Sequence, residues 1–264
     1  MSVNLKERME QGLLRWRGKV ALVTGATSGI GTACARALAP VGMRLALAGR
    51  RGERLEELKA ELEGAHGAAG CEVMVIVGDI ADPGHIAAMT GGIRQAWGGM
   101  DVLINNAGLG HTRPLTESDW EPLQQMLDVN IRAATLCMQE AVKDMRGKQD
   151  AAIINISSLA GHRVVAGSIT TSFYAATKHA MRGMTEGVRN ELRVAGEQIK
   201  IGTISPGLVV TEFHQAAAPS EPPKGYPFNP LQAEDIASAV LYMLSTQPHV
   251  QVGDVVLRSV EQPF

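Results

Sequence analysis

The sequence contains few cysteines, few aromatic residues and no excess of charge of either sign. Its 264 residues include three cysteines, 4% aromatic and 20% charged residues, with a formal net charge of -2. The cysteines Cys34, Cys71 and Cys137 lie far apart and form neither a CxxC pair nor a metal-ligand spacing. We therefore expect reduced thiols, a cytoplasmic location, no metal site and no basic surface for nucleic acid.

Long apolar runs are also missing. Charged residues interrupt the first nineteen positions, so we expect neither a signal peptide nor a membrane anchor. Leu5, Met9, Leu13 and Leu14 recur there at near-helical spacing. We interpret residues 1–17 as a lead-in segment whose short amphipathic helix packs on a single domain formed by residues 18–264.

Short apolar runs alternate with helical patterns along that domain. Seven runs have the length of a strand: residues 20–23, 45–48, 73–77, 102–104, 153–156, 199–204 and 252–257. Two of the helical patterns, residues 32–39 and 54–63, are followed by Pro40 and Gly64. This alternation predicts an α/β fold, namely a doubly wound Rossmann-type domain with a seven-stranded, mostly parallel sheet and helices on both faces.

A glycine-rich turn follows the first predicted strand. Residues 24–31 read TGATSGIG, with Gly25, Gly29 and Gly31 placed to turn the chain sharply from strand to helix. Such a turn leaves room for a pyrophosphate at a helix N-terminus. A tight turn also needs glycine for purely steric reasons, so this pattern alone leaves both interpretations open.

Tyr174 and Lys178 lie four residues apart and therefore share one face of a predicted helix. A phenol ionises near pH ~10, and an ammonium about 5 Å away at a dielectric of about 20 contributes about 3 kcal/mol. We expect this cation to lower the pKa of Tyr174 by roughly two units and to make the phenol useful for proton transfer. An exposed surface pair is the alternative.

Two further polar features accompany this pair. Ser157 and Ser158 directly follow the run 153–156, where a hydroxyl can hold a substrate carbonyl or simply form a loop. Asn130 lies within a helical pattern, residues 123–138, although asparagine is a poor helix former. Its position suggests a role other than helix formation.

Taken together, these motifs resemble the short-chain dehydrogenase/reductase family. The turn TGxxxGxG, Asn105-Asn106-Ala107-Gly108, Asn130, Ser158, Tyr174-xxx-Lys178 and Ser205-Pro206-Gly207 occur in the family's order over nearly the whole chain. The resemblance implies an oxidoreductase that transfers a hydride between a nicotinamide cofactor and a ketone or secondary alcohol.

The resemblance also implies a catalytic set. Tyr174 would be the general acid or base, Ser158 would orient the carbonyl, Lys178 would hold the nicotinamide ribose and lower the Tyr174 pKa, and Asn130 would hold a water. Ser158 to Tyr174 spans sixteen positions, where thirteen are usual in the family. Ser157 and Ser168 are therefore alternatives to Ser158.

By the same resemblance, the cofactor lies against the glycine turn, several strand ends and the helix that carries Tyr174. Asp79 would contact the adenine, and the segment from Pro206 to Thr211 would form the nicotinamide wall. The implied cofactor-binding residues are Gly25, Thr27, Ser28, Gly29, Ile30, Gly31, Arg50, Arg51, Asp79, Ile80, Asn106, Ala107, Gly108, Tyr174, Lys178, Pro206, Gly207, Val209 and Thr211.

The end of the second predicted strand favours NADP(H) over NAD(H). Dinucleotide folds that prefer NAD usually carry an acidic residue there, but this chain has Gly49, followed by Arg50 and Arg51. Guanidinium groups pair well with a 2′-phosphate. The alternative is that both arginines only solvate the start of a helix, where cations are mildly unfavourable.

Proline-rich residues 216–230 exclude a regular helix or central strand, and we interpret residues 212–230 as a substrate lid rather than a plain surface connection.

Gly161-His162-Arg163 and the C-terminus resemble a branch of ketosteroid and dicarbonyl reductases and farnesol dehydrogenases, which favours an apolar ketone beside Phe213, Tyr226 and Phe228. The ending also resembles 3-hydroxy acid and serine dehydrogenases, whose substrates would need Arg113, His162 or Arg163.

The family further implies a homotetramer or a dimer, paired through the helices around residues 123–145 and 174–192. A catalytically silent nucleotide-sensing protein on the same fold is the competing hypothesis.

Overall fold

The seven apolar runs form one parallel sheet. The computed structural model describes residues 4–164, 171–213, 217 and 228–263. The sheet order is β3-β2-β1-β4-β5-β6-β7, and every pair of neighbours is parallel. The strands are β1 (Val20–Thr24), β2 (Arg44–Gly49), β3 (Val73–Val77), β4 (Val102–Asn105), β5 (Ala151–Ile156), β6 (Ile199–Pro206) and β7 (Asp254–Leu257).

Helices connect these strands and cover both faces of the sheet, which confirms the predicted doubly wound α/β fold. They are α1 (Leu5–Leu14), α2 (Gly29–Leu38), α3 (Gly52–His66), α4 (Pro83–Trp97), α5 (Trp120–Leu127), α6 (Ala134–Met145), α7 (Ser172–Val194) and α8 (Ala233–Ser245). One apolar cluster packs α2, α3 and α8 on the sheet, and a second packs α4, α6 and α7 on its other face. The three cysteines are buried free thiols.

The lead-in helix α1 packs against α8. A Cβ on Gly12 would lie 1.9 Å from the Ser245 carbonyl oxygen, so the two helices touch closely at this glycine. Just beyond α1, Trp16 Nε1 and Arg15 Nη2 both donate to the Leu244 carbonyl oxygen, at 2.9 and 2.8 Å. Because Trp16 is 1% exposed, this segment contributes a full side chain to the core.

Several predicted boundaries differ from the structure; β5, for example, begins at Ala151 rather than at residue 153. The helix expected over residues 54–63 continues through Gly64 and ends at His66, because a single exposed glycine costs a helix only about 1 kcal/mol. The last strand begins at Asp254 rather than at residue 252. Within the part of the chain that the structure describes, no helix has the length and apolar character needed to cross a bilayer.

Candidate active site

A cavity of about 610 Å³ opens at the carboxyl ends of the strands, where the strand order reverses between β1 and β4. In open α/β sheets this crevice is where ligands bind. The cavity brings together most of the sequence-predicted site residues: Gly25, Thr27, Ser28, Gly29, Ile30, Arg50, Arg51, Asp79, Ile80, Asn106, Ala107, Gly108, Ser158, Tyr174, Lys178, Pro206, Gly207, Val209 and Thr211. Gly31 and Asn130 are not among its lining residues.

The glycine turn between β1 and α2 requires glycine at all three positions. Gly25 and Gly29 have positive φ angles of 68° and 53°. A Cβ on Gly31 would lie 2.3 Å from the Gly25 carbonyl oxygen. A Cβ on Gly29 would lie 2.8 Å from Thr211 Cγ2, so the segment after β6 packs directly on the turn. A side chain at any of these positions would fill the cradle or strain the backbone.

The start of α2 is suited to an anion. Ser28 is the N-cap residue, and among the described residues its side chain makes no capping hydrogen bond to the helix. The first N–H groups of α2 therefore keep their capacity for an external acceptor. Together with the glycine turn, this arrangement fits the pyrophosphate of a dinucleotide.

Asn106 ties the end of β4 to the end of β1. Its Nδ2 donates to the Thr24 carbonyl oxygen at 2.9 Å and to the Gly25 carbonyl oxygen at 3.2 Å. The backbone N–H groups of Asn106 and Ala107 each donate to Thr24 Oγ1 at 3.0 Å. These bonds hold the floor of the cavity rigid between the two strands.

Asn130 lies in a π-helical turn, Asp128–Ala133, that separates α5 from α6. The sequence predicted one continuous helical pattern here, and the inserted turn is the difference. Asn130 is fully buried; its Oδ1 accepts from the Leu109 N–H at 2.8 Å, and its Nδ2 donates to the Leu109 carbonyl oxygen at 2.8 Å and to Thr177 Oγ1 at 3.0 Å. π-Turns are frequent at functional sites, and this one joins the loop after β4 to α7.

Ser158, Tyr174 and Lys178 meet at one end of the cavity. The Ser158 hydroxyl is hydrogen-bonded to the Tyr174 phenol, and Lys178 Nζ lies 5.7 Å from the centroid of the Tyr174 ring. The buried Lys178 amine donates to the Ile156 carbonyl oxygen at 2.9 Å. Ser157 points instead to the backbone of α7, where its Oγ donates to the Lys178 carbonyl oxygen at 3.3 Å. Ser168 lies outside the described residues.

The expected lowering of the Tyr174 pKa is not found. Burial raises the pKa of Tyr174 to about 12, and the hydrogen bond from Ser158 opposes this only in part. Burial also lowers the pKa of Lys178 to about 8. Removal from water penalises the charged form of both groups, and this effect outweighs the attraction anticipated from their spacing alone.

Phe213 packs on the face of Tyr174. The two ring centroids are 5.6 Å apart with an interplanar angle of 53°. A Cβ on Gly110 would lie 2.8 Å from Phe213 Cζ, and Thr112 Oγ1 donates to the Ala217 carbonyl oxygen at 3.1 Å. The beginning of the predicted lid therefore lies against Tyr174 and the loop after β4. Tyr226 and most of the residues between 212 and 230 lie outside the described residues.

An ion-pair cluster occupies the opposite end of the cavity. Arg51 Nη1 contacts Glu212 Oε2 at 2.6 Å, and its Nε and Nη2 donate to Thr27 Oγ1 at 3.2 and 3.0 Å. Arg54 Nη1 contacts Glu212 Oε1 at 2.7 Å. Neither Arg54 nor Glu212 was among the site residues predicted from the sequence. The spacing of Arg54, three residues after Arg51 on α3, was the one available signal.

The three cations considered for an acidic substrate have other surroundings. His162 Nε2 lies 3.2 Å from Asp254 Oδ2, and Arg113 lies 3.5 Å from Asp119 Oδ2. Arg113, His162 and Arg163 are absent from the cavity lining among the described residues, as is Phe228.

Comparisons with known proteins agree with this architecture. The family profile of short chain dehydrogenase matches residues 19–222. Dehydrogenase/reductase SDR family member 11 of Gallus gallus is 42% identical over 254 residues, which cover 94% of this chain and 98% of the relative. Farnesol dehydrogenase of Aedes aegypti is 40% identical over 252 residues, covering 95% and 99%.

A solved structure has a similar fold. Alcohol dehydrogenase from the archaeon Thermococcus sibiricus, complexed with 5-hydroxy-NADP, superposes with a TM-score of 0.80 at 29% identity, covering 92% of this chain and 97% of that one. These matches confirm the resemblance drawn from the motifs. The chain belongs to the short-chain dehydrogenase/reductase family and is an oxidoreductase that acts on alcohol or carbonyl groups.

Proposed function

We propose that the protein is an NADP(H)-dependent carbonyl reductase and alcohol dehydrogenase that favours apolar ketones. One observation carries the proposal. A single cavity has Ser158, Tyr174 and Lys178 at one end and the arginines that follow β2 at the other. Acid–base groups and a phosphate-binding site at opposite ends of one crevice are what hydride transfer with a phosphorylated dinucleotide requires.

In this proposal Tyr174 donates the proton to the carbonyl oxygen during reduction and accepts it during oxidation. With a pKa of about 12 the phenol carries its proton at neutral pH and is therefore in the protonated form that a donor requires. The Ser158 hydroxyl, already bonded to Tyr174, orients the carbonyl oxygen beside it. Lys178 holds the nicotinamide ribose, and Asn130 fixes α7 to the loop after β4. The bound nicotinamide supplies or accepts the hydride.

The preference for NADP(H) is proposed from the surroundings of β2. A Cβ on Gly49 would lie 2.6 Å from Thr27 Cγ2, so even the first atom of an acidic side chain would crowd Thr27. Arg50 and Arg51 line the cavity next to this position. A bound NADP analogue in a similar alcohol dehydrogenase supports the same preference.

The preference for an apolar substrate rests on Phe213. This ring lines the cavity and covers Tyr174, so a substrate carbonyl would enter beside an aromatic surface. The 40% identity with a farnesol dehydrogenase, whose name denotes an apolar alcohol, supports the same class. A 3-hydroxy acid would need a cation near Tyr174, and Arg113, His162 and Arg163 do not line the described cavity.

The oligomeric state and the cellular location are proposed from the family resemblance. We propose a cytoplasmic homotetramer or dimer in which residues 18–264 form one catalytic domain with a lid near residues 212–230. A mass by light scattering equal to one chain of 28.1 kDa would contradict the assembly.

The proposed activity is tested by following the absorbance of the reduced nicotinamide. Purified protein is offered steroids, diketones, quinones and 3-hydroxy acids with NADPH or NADH. We expect NADPH to be oxidised with at least one apolar ketone, faster than NADH. Preference for a hydroxy acid would contradict the substrate class, equal use of both cofactors would contradict the NADP preference, and no turnover at all would favour the silent nucleotide sensor.

A further inference from the structure

Glu212 lies in the segment after β6, and its side chain stands at the end of the cavity that Arg51 lines. It directly follows Thr211, yet its carboxylate contacts Arg51 and Arg54, which are 161 and 158 residues away along the chain. It also lines the cavity together with Arg50, Arg51 and Thr27. NAD-preferring dinucleotide folds usually carry an acidic residue at the end of β2, where this chain has Gly49. The carboxylate of Glu212 thus supplies an acidic group in this region from another segment.

This carboxylate already occupies Arg51, one of the two guanidinium groups that a 2′-phosphate would use. Both Glu212 oxygens are engaged, Oε2 with Arg51 at 2.6 Å and Oε1 with Arg54 at 2.7 Å. The two arginines hold the pKa of Glu212 below its usual value, so it stays ionised at neutral pH. A phosphate approaching Arg51 therefore meets a resident anion.

The ion pairs are weak enough to be exchanged. The side chains of Arg51, Arg54 and Glu212 are 40%, 46% and 49% exposed, and pairs this open to water contribute little to stability. A phosphate offers more charge and more acceptor oxygens than one carboxylate. Arg51 can therefore change partners while its bonds to Thr27 keep it in place.

We propose that Glu212 is a specificity-determining residue, which competes with the cofactor's 2′-phosphate for Arg51 and so reduces the preference for NADP(H) over NAD(H). This rests on the proposed use of Arg51 for the phosphate. Glu212 lowers affinity for the phosphorylated form and leaves the unphosphorylated form nearly unaffected.

The experiment measures binding rather than turnover. Calorimetry compares adenosine 2′,5′-bisphosphate (2′,5′-ADP) with 5′-AMP, which differ only in the 2′-phosphate. Glu212→Gln keeps the size of the side chain and removes its charge. We expect this variant to bind 2′,5′-ADP about fivefold more tightly, as the loss of an exposed competing ion pair predicts, with the affinity for 5′-AMP changed less than about twofold.

Glu53→Gln is the matched control. Glu53 is an exposed carboxylate in the first turn of α3, and its removal changes the net charge equally without touching the cluster. An equal gain in this variant would show general charge repulsion and overturn the proposal. Unchanged or weaker binding of 2′,5′-ADP by Glu212→Gln would also overturn it.

Arg51→Ala separates this inference from the proposed function. If Arg51→Ala weakens 2′,5′-ADP selectively and Glu212→Gln has no selective effect, only the role of Glu212 fails. If Arg51→Ala weakens both nucleotides equally, the proposed phosphate site itself fails and the role of Glu212 fails with it.

Discussion

At the scale of single residues, burial governs the ionisation of Tyr174 and Lys178. It moves the pKa of Tyr174 up to about 12 and the pKa of Lys178 down to about 8. Both shifts favour the neutral form, because each group loses water around its charge. A buried lysine amine is thus a feature that the fold maintains at a cost in stability, as is usual at functional sites.

This cost gives a prediction for Lys178→Met. The folded-state pKa of Lys178, about 8, lies below its ordinary value of 10.5, so between these pH values the unfolded chain binds more protons and stability rises with pH. After allowing for the lost hydrogen bond to Ile156, we expect Lys178→Met to be more stable at pH 7 by about 2 kcal/mol. The advantage should disappear as pH approaches 10.5.

Urea unfolding at several pH values between 7 and 10 measures this difference. Lys6→Met, at a side chain that is 82% exposed, serves as the control and should show no such trend. The burial argument would be contradicted if Lys178→Met were less stable than the parent at every pH and the difference in free energy of unfolding did not change with pH.

At the scale of elements, close packing at glycine decides how helices meet. Gly12 lies where α1 touches α8, with the Ser245 carbonyl oxygen 1.9 Å from the position of a Cβ. Gly64, within α3, has nothing within 4 Å of that position. The two positions share a helical backbone and differ only in the space around them.

We therefore expect opposite results from the same substitution. Gly12→Ala should force α1 away from α8 and lower the free energy of unfolding by about 2 kcal/mol, as overpacking does. Gly64→Ala should raise it by about 0.5–1 kcal/mol, because alanine is the better helix former. Thermal unfolding of both variants beside the parent provides the measurement. A stabilised Gly12→Ala variant would show that α1 does not dock on α8 as described.

Several elements could be predicted from the sequence for a physical reason. Strands buried on both faces read as short apolar runs, so β1, β2, β4, β5 and β6 lie where those runs do. The π-turn at Asp128–Ala133 was not predicted, because the residues on its two sides were read as one helical pattern and no glycine or proline marks the insertion between them. The end of α3 was missed because Gly64 is a weak stop signal where solvent leaves space.

At the scale of the whole molecule, the parallel topology assembles the site. Residues after β1, β4, β5 and β6 meet at one crevice because the carboxyl ends of parallel strands share an edge. The motifs therefore predicted many of the residues that line the cavity, although Gly31 and Asn130 are not among its lining residues. Contacts between distant segments, such as Glu212 with Arg54, needed the folded chain. The direction of the Tyr174 pKa shift needed its burial, which spacing alone does not give.

The account depends most on Tyr174 as the group that exchanges the proton with substrate. Tyr174→Phe removes one hydroxyl and keeps the ring that packs on Phe213. Tyr242→Phe, on α8 and 48% exposed, is the matched control and should turn over like the parent.

The decisive measurement is kcat/KM for NADPH-dependent ketone reduction, together with the Kd for NADPH, in the Tyr174→Phe variant. The account predicts a loss of about 10²–10⁴-fold in kcat/KM, the usual contribution of a general acid, with the Kd within about twofold of the parent. Turnover at the parental rate, with NADPH bound equally well, would contradict it.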